Sequence, residues 1–276
     1  MANVRAFGVV TALAAVLLVG AARPSAQLPG EPVKESGLSV TGAFEGWYPN
    51  PDGSFSVLVG YFNRNSKQTF DIPVGPNNRI EPGPTDQGQP THFLPRRQWG
   101  VFTIRVPKDF GKNKLTWTLV SNGQTTVIPM HLDPLWLVEP LKDAALGNTP
   151  PTVKFQAAGA PLQGPPTGTS ATYTATVSSP LELSVWVTDD GIRAPEARRP
   201  ARLATVAWSK FRGPGTVTFA TPAPALDEKT GEAKTTATFS APGEYILRVQ
   251  ANDATGDGGG GFQCCWTNAH VKVTVK

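Results

Sequence analysis

Apolar and polar positions alternate along most of this chain, and short turn-forming clusters break the alternation. The run LSVTGAFEGWY covers Leu38 to Tyr48 and ends at Pro49-Asn50-Pro51-Asp52-Gly53, a strong turn signal. In the next run, SFSVLVGYFNRN, Phe55, Val57, Val59 and Tyr61 fall on one face and Ser56, Leu58 and Gly60 on the other. Two apolar faces predict a central strand, and the two runs together predict a hairpin. A third run, QTFDIPVG, leads into Pro76–Gln98, which shows no periodicity and is expected to be a long loop. Its His92, Phe93, Arg96 and Arg97, with Trp99 just beyond, argue that it packs against something. Strands are predicted again at Val101–Val106, Leu115–Val120 and Thr125–Met130, with Ser121–Gln124 as a hairpin turn.

Residues 131–150 form a proline-bounded connector in which Leu135, Trp136, Leu137 and Val138 can cover an edge. Beyond it, eight short strands are expected: Thr152–Phe155, Ser170–Val177, Leu183–Val187, Ala204–Trp208, Thr216–Phe219, Ala233–Phe239, Tyr245–Ala251 and Ala269–Val275. Asp189-Asp190-Gly191, Gly213-Pro214-Gly215 and Ala241-Pro242-Gly243 supply turns between them. No segment carries the pattern of a long amphipathic helix. The expected fold class is all-β, with two immunoglobulin-like β-sandwich domains in tandem over residues 36–145 and 148–276.

The first 26 residues change the picture of compartment and charge. Arg5, an apolar stretch from Phe7 to Ala22, and the small residues Ser25 and Ala26 make the three-part pattern of a cleaved signal peptide over residues 1–26. The apolar stretch is short for a bilayer span, so no membrane insertion is expected after cleavage, and the location is secreted or periplasmic. Cleavage removes Arg5 and Arg23 and no acid, so the net charge of +4 falls to +2. With no concentrated basic patch, nucleic acid is excluded as an expected partner.

In the second half, Asn148-Thr149-Pro150-Pro151, Trp208-Ser209-Lys210, Gly213-Pro214-Gly215, Phe239, Pro242-Gly243-Glu244-Tyr245, Arg248-Val249 and Asp253 together resemble the PKD-like, REJ-type group of bacterial immunoglobulin-like modules. The resemblance covers residues 148–276. It implies a spacer, adhesion or docking module on an exported protein, and fold analogy alone does not fix a function.

Candidate chemistry is sparse. Adjacent Cys264 and Cys265 are unusual in an exported protein, because neighbouring Cα atoms lie about 3.8 Å apart, below the usual disulfide span. A vicinal disulfide, two separate thiols, a bond to another chain and a metal site all remain open for them. Asp253 and Asp257 precede a run of four glycines and could meet Asp189 and Asp190 at one end of a sandwich. Hard oxygen ligands of this kind suit calcium, although the spacing fits no known calcium loop. Trp47, Tyr48, His92, Phe93, Arg96, Arg97 and Trp136 are the candidate contacts for a partner or ligand. No G-x-S-x-G and no H-E-x-x-H occurs, and His92 with Arg96 and Arg97 reads as a structural or anion-contacting cluster. The expectation is a non-enzymatic interaction or accessory protein that docks to a protein assembly at the cell surface or in the periplasm. The alternative is a carbohydrate-binding module of the cell envelope. Self-association is a further expectation, since strand edges pair readily and the Ala269–Lys276 strand ends the chain.

Overall fold

The computed structural model describes residues 34–143, 147–192, 204–253 and 265–276. The predicted signal peptide, Asp257 and Cys264 lie outside the described residues. Lys34–Lys276 cluster as one compact unit containing two β-sandwiches. Among the described residues no helix is long and apolar enough to cross a membrane.

The first sandwich sets a sheet of β1 (Val40–Pro49), β2 (Phe55–Asn63) and β6 (Arg96–Val106) against a sheet of β4 (Asn78–Glu81), β7 (Leu115–Ser121) and β8 (Gln124–Met130). A ribbon of β3 (Phe70–Asp71) and β5 (His92–Phe93) flanks them. β2 is the central strand that its two apolar faces predict: Val57, Leu58 and Val59 are fully buried. The expected loop at 76–98 instead contributes β4, β5 and the start of β6. These pieces are too short for a period of two to show in the sequence. They are held by side chains: buried Asn78 donates to the carbonyls of Ile72 (3.0 Å) and Pro90 (2.7 Å) and accepts from Trp117 Nε1 (3.0 Å). The core is an aromatic cluster in which Phe93 lies 5.0 Å from Tyr61 and 6.4 Å from Trp117, and Phe102 meets Trp117 edge-on at 5.3 Å. Gly42 is required here, because a Cβ would stand 2.6 Å from the Trp117 ring.

In the second sandwich β9 (Thr152–Lys154), β11 (Leu181–Thr188), β14 (Glu232–Phe239) and β13 (Val217–Phe219) form one sheet in the order β13-β14-β11-β9. The other is β10 (Thr169–Ala175), β16 (Trp266–Val275), β15 (Gly243–Asn252) and β12 (Thr205–Arg212), in the order β10-β16-β15-β12. This is the strand order of an immunoglobulin-type sandwich. β10 runs parallel to β16, while the other pairs are antiparallel. Two local features fit the same type. Trp208 on β12 is buried and packs edge-on to Phe155. Tyr245, at the start of β15, donates its hydroxyl to the carbonyl of Ala241 (2.8 Å), which pins the β14–β15 corner. β16, which ends the chain, lies inside its sheet, and β10 is the edge.

Candidate functional site

Three places gather the candidate residues: the joint between the sandwiches, an acidic cluster, and the connector.

At the joint, β1 and β6 depart from regular pairing. Glu45 is an extra residue between Phe44, which faces Val59, and Gly46, which faces Leu58. On the other side of β2 the register slips between Val59 and Tyr61, leaving Trp99, Gly100 and Val101 outside the pairing. Such bulges release backbone groups from the ladder. The second sandwich uses the groups released here. Asn268 Nδ2 donates to the carbonyls of Trp99 (3.1 Å) and Gly100 (3.0 Å). His270 Nε2 donates to the carbonyl of Val101 (3.1 Å), which fixes the proton on that nitrogen. Gly100 has φ +49 and lies under Trp266, whose ring leaves no room for a Cβ.

Charge is buried at the same joint. The Glu45 carboxylate accepts from Arg97 Nη2 (2.6 Å) and from the Gly100 amide (2.7 Å), and it fills the space above Gly60. Burial pushes its carboxyl above the usual range, with Arg97 opposing that shift. Arg97 also stacks on Trp99, 3.8 Å from the ring centre. Arg248 is buried and reaches Gln98 Oε1 at 2.6 Å, and desolvation lowers its pKa. His270 is pushed down to about 3, by burial first and by the nearby Arg248 second, so it is neutral. Phe211 from β12 is 3% exposed and belongs to the hydrophobic core of the first sandwich, with Ile246 packed beside it.

At the rim of the joint, Asp71 Oδ1 takes both His92 Nδ1 (2.9 Å) and Lys210 Nζ (2.7 Å), and Arg212 holds Asp86 through two nitrogens (2.7 and 2.8 Å). Desolvation lowers the His92 pKa, and the bonds from Lys210 and His92 outweigh burial to hold Asp71 below its usual value. An open cavity of about 400 Å³ lies beside them, lined by Asp71, Pro73, Thr91, Arg212, Gly213 and Pro214. Asp71 and Arg212 are both spent on ion pairs that cross the joint, so the lining offers a ligand little free charge.

The candidate contacts therefore fall in different surroundings. Phe93 is wholly buried in the first core. His92 and Arg97 serve contacts within the chain, and Arg96 is exposed at φ +68. Trp47 is half-buried, edge-on to Phe55, with its Nε1 donating to the carbonyl of Asp133 (2.8 Å). Tyr48 is half-buried, and burial raises its pKa.

The acidic cluster joins two loops. Asp189, Asp190 and Asp253 bring carboxylate oxygens within 4.8 Å of one another, a tri-carboxylate arrangement of the kind that coordinates a divalent cation. Asp190 Oδ2 accepts from the amide (2.9 Å) and hydroxyl (2.7 Å) of Thr149, and Asp253 accepts from Asn148 Nδ2 (2.8 Å). Asp189 is pushed up to about 6 by burial and then by the charges of Asp253 and Asp190. Cys265 is buried and disulfide-bonded, and its carbonyl accepts from the Asp253 amide (3.1 Å) at the foot of this cluster.

The connector lies along β1. Leu137 bridges to Trp47, Val138 donates to the Trp47 carbonyl (3.0 Å), and Trp136 stacks on Phe44 at 5.0 Å. Pro134–Trp136 is a single 3-10 turn capped by Asp133, whose side chain accepts from the Leu135 amide. Anchored this way, the connector still leaves Leu135 91%, Leu137 54%, Leu141 48% and Trp136 45% exposed.

Glu45, Gln98, Arg248, Asn268 and His270 carry the joint; of these only Arg248 is singled out from the sequence, within the module resemblance and not as a contact. The signal available was Glu45 and Arg248, each a charge inside a run otherwise fit for a buried strand.

No protein-family model matches the chain, and no curated protein matches it. Among solved structures it is similar to domains 4 and 5 of the S-layer protein SbsC, at 12% identity and TM-score 0.25 over 59% of this chain; it spans 65% of that chain, just under two thirds. It is also similar to the D00-D0 domain of intimin, at 10% identity and TM-score 0.28 over 86% of this chain and 100% of that one. A third similarity is to the fibronectin(III)-like modules of Clostridium thermocellum CbhA, at 13% identity and TM-score 0.24 over 86% of this chain and 94% of that one. The class the strand orders define is an all-β protein of two β-sandwiches, the second of them in immunoglobulin order.

Proposed function

We propose that this chain is a non-enzymatic interaction or accessory protein, secreted or periplasmic, that docks to a protein assembly through its connector. The sandwiches are read as the domains 36–145 and 148–276. The observation that carries the reading is the group Leu135, Trp136, Leu137 and Leu141, held exposed on a strap anchored to β1. Exposed apolar side chains interspersed along the chain with exposed charges, here Asp133, Glu139 and Lys142, suit a protein contact. The patch is mainly aliphatic. Its one tryptophan is stacked on Phe44, and Trp47 is turned edge-on to Phe55, so no coplanar aromatic platform for a glycan is built from them. The PKD-like resemblance supports the same reading. The test is capture from the envelope fraction of the source cell with the native protein and with Leu135→Asp/Leu137→Asp. A stoichiometric partner lost in the variant, with the thermal midpoint unchanged, is expected. Equal capture by both proteins, or capture by neither, overturns the reading.

A second role is supported by the acidic cluster: Asp189, Asp190 and Asp253 hold calcium, whose charge offsets the burial and then the neighbouring carboxylates that raise Asp189. Calcium is expected to raise the thermal midpoint of the native protein and to leave Asp189→Asn unmoved. A midpoint indifferent to millimolar calcium overturns this role. Cys264 is the proposed partner of Cys265, giving a vicinal disulfide; peptide mapping without reduction checks it.

A further inference from the structure

The strand edges of this protein are treated unequally. β9 and β13 are edges of three residues each, too short to offer much. The far side of β12 is covered where Trp208 donates to the Pro222 carbonyl (2.7 Å). β8 carries Pro129 and turns toward β1, with Thr126 Oγ1 on the Val40 carbonyl (3.4 Å) and Val40 donating to Ser121 Oγ (2.8 Å). Short strands, prolines and covering segments are the usual means of blocking an edge.

Among the described residues β10 has none of them. It reads TSATYTA, seven residues with no proline and no charge, and no other described strand pairs with its far side. The Ala175 carbonyl accepts from the Lys276 amide (2.9 Å), and the Val177 amide donates to the Lys276 carbonyl (3.0 Å). The odd-numbered peptide groups therefore face β16. Alternation turns those of Thr172 and Thr174 outward, and both residues are exposed. From Phe155 to Leu181 the chain has no Asp, Glu, Lys or Arg, in a protein that is 17% charged.

We propose that the free edge of β10 pairs with the same edge of a second copy of this chain, antiparallel about a two-fold axis. An axis at Thr172 sets Thr172 opposite its own copy and Ser170 opposite Thr174, so hydroxyls face hydroxyls. Cross-strand pairs of this type are favourable, whereas like charges opposite one another are not. Self-pairing brings every residue of the strand near a copy of the same segment, so it tolerates no net charge there, and none is present. A charged peptide would find no counter-charge along this edge. The pairing extends a four-stranded sheet to eight strands and uses little area, which gives a weak, reversible dimer.

Sedimentation velocity over a concentration series tests this. A monomer–dimer equilibrium is expected for the native protein. Thr172→Lys and Thr172→Glu are each expected to weaken it by about tenfold or more, because like charges then meet on the axis. Mixing the two variants is expected to restore the dimer, a rescue that a fold defect would not give. A native protein that stays monomeric up to about millimolar concentration, where transient contacts of this size populate, overturns the proposal. So does a dimer unmoved by either charge, or a mixture that fails to reassociate.

Discussion

The two sandwiches of this chain are built differently. The second is regular: its strands follow the immunoglobulin order, its corner is pinned by Tyr245, and its core is assembled from its own strands. The first has bulges in β1 and β6, buries Glu45, and includes in its core Phe211 from its neighbour. A sandwich with a complete strand set can close its own core. One with three-stranded sheets and a two-stranded ribbon leaves a side to be closed by something else, and here the neighbouring sandwich closes it.

The difference can be tested where it is greatest. Phe211→Ala is expected to destabilise the first sandwich by about 3–5 kcal/mol, as for other buried aromatic truncations, although the residue belongs to a strand of the second. Calorimetry should show the two sandwiches melting together in the native protein and the first melting earlier in the variant. An unchanged profile would mean that the first sandwich closes its core unaided. Arg97→Ala leaves the buried Glu45 carboxylate with the Gly100 amide and the charge of Arg248 but without a direct ion pair, and removing one partner of a buried pair costs about 3–5 kcal/mol. Because Arg97 is 25% exposed, solvent screening favours the low end of that range, read by chemical denaturation.

The corner gives a smaller effect. Tyr245→Phe removes the hydroxyl bonds to Ala241 and Gly215 and is expected to cost about 1–2 kcal/mol, confined to the second sandwich. The pH response is smaller still at neutrality. His270 is held near 3 when folded, so between about 6.5 and 3 the unfolded chain binds a proton that the folded one refuses. Its contribution therefore falls as pH drops through that window. Asp71 and Asp86, held below their ordinary values, add losses at the acid end. His270→Gln should reduce the fall between about pH 6.5 and 4.5, where the lowered His92 still adds to it and Asp189, raised to about 6, opposes it, and should leave the Asp71 and Asp86 part in place. Parallel curves for both proteins would remove His270 from the account.

The contrast also explains what was legible in the sequence. Strand cores such as Leu115–Val120 and Tyr245–Ala251 announce themselves because one buried face forces a period of two. β4 and β5 do not, since four-residue and two-residue strands hold at most two repeats, too few to stand out from chance, and are fixed by Asn78 and by ribbon pairing. Asp189, Asp190 and Asp253 were traceable because turn-rich loops at one end of a sandwich converge. The joint was not, because its contacts run between Gln98 and Arg248 and between Val101 and His270, each pair more than a hundred residues apart. Phe211 reads as an ordinary core residue of β12, and only the three-dimensional arrangement shows which core it enters.

The carbonyls of Trp99, Gly100 and Val101 have one more consequence, which concerns how this protein tolerates change. One half of the joint is written in main chain, and every amino acid carries a carbonyl. The other half is written in side chains, Asn268 and His270, which few residues can imitate. A saturation scan should therefore be lopsided: 99 and 101 limited only by packing, of Trp99 against Arg97 and of Val101 in the first core, 268 and 270 limited by hydrogen bonding as well, and almost nothing accepted at 100, where only glycine fits beneath the Trp266 ring.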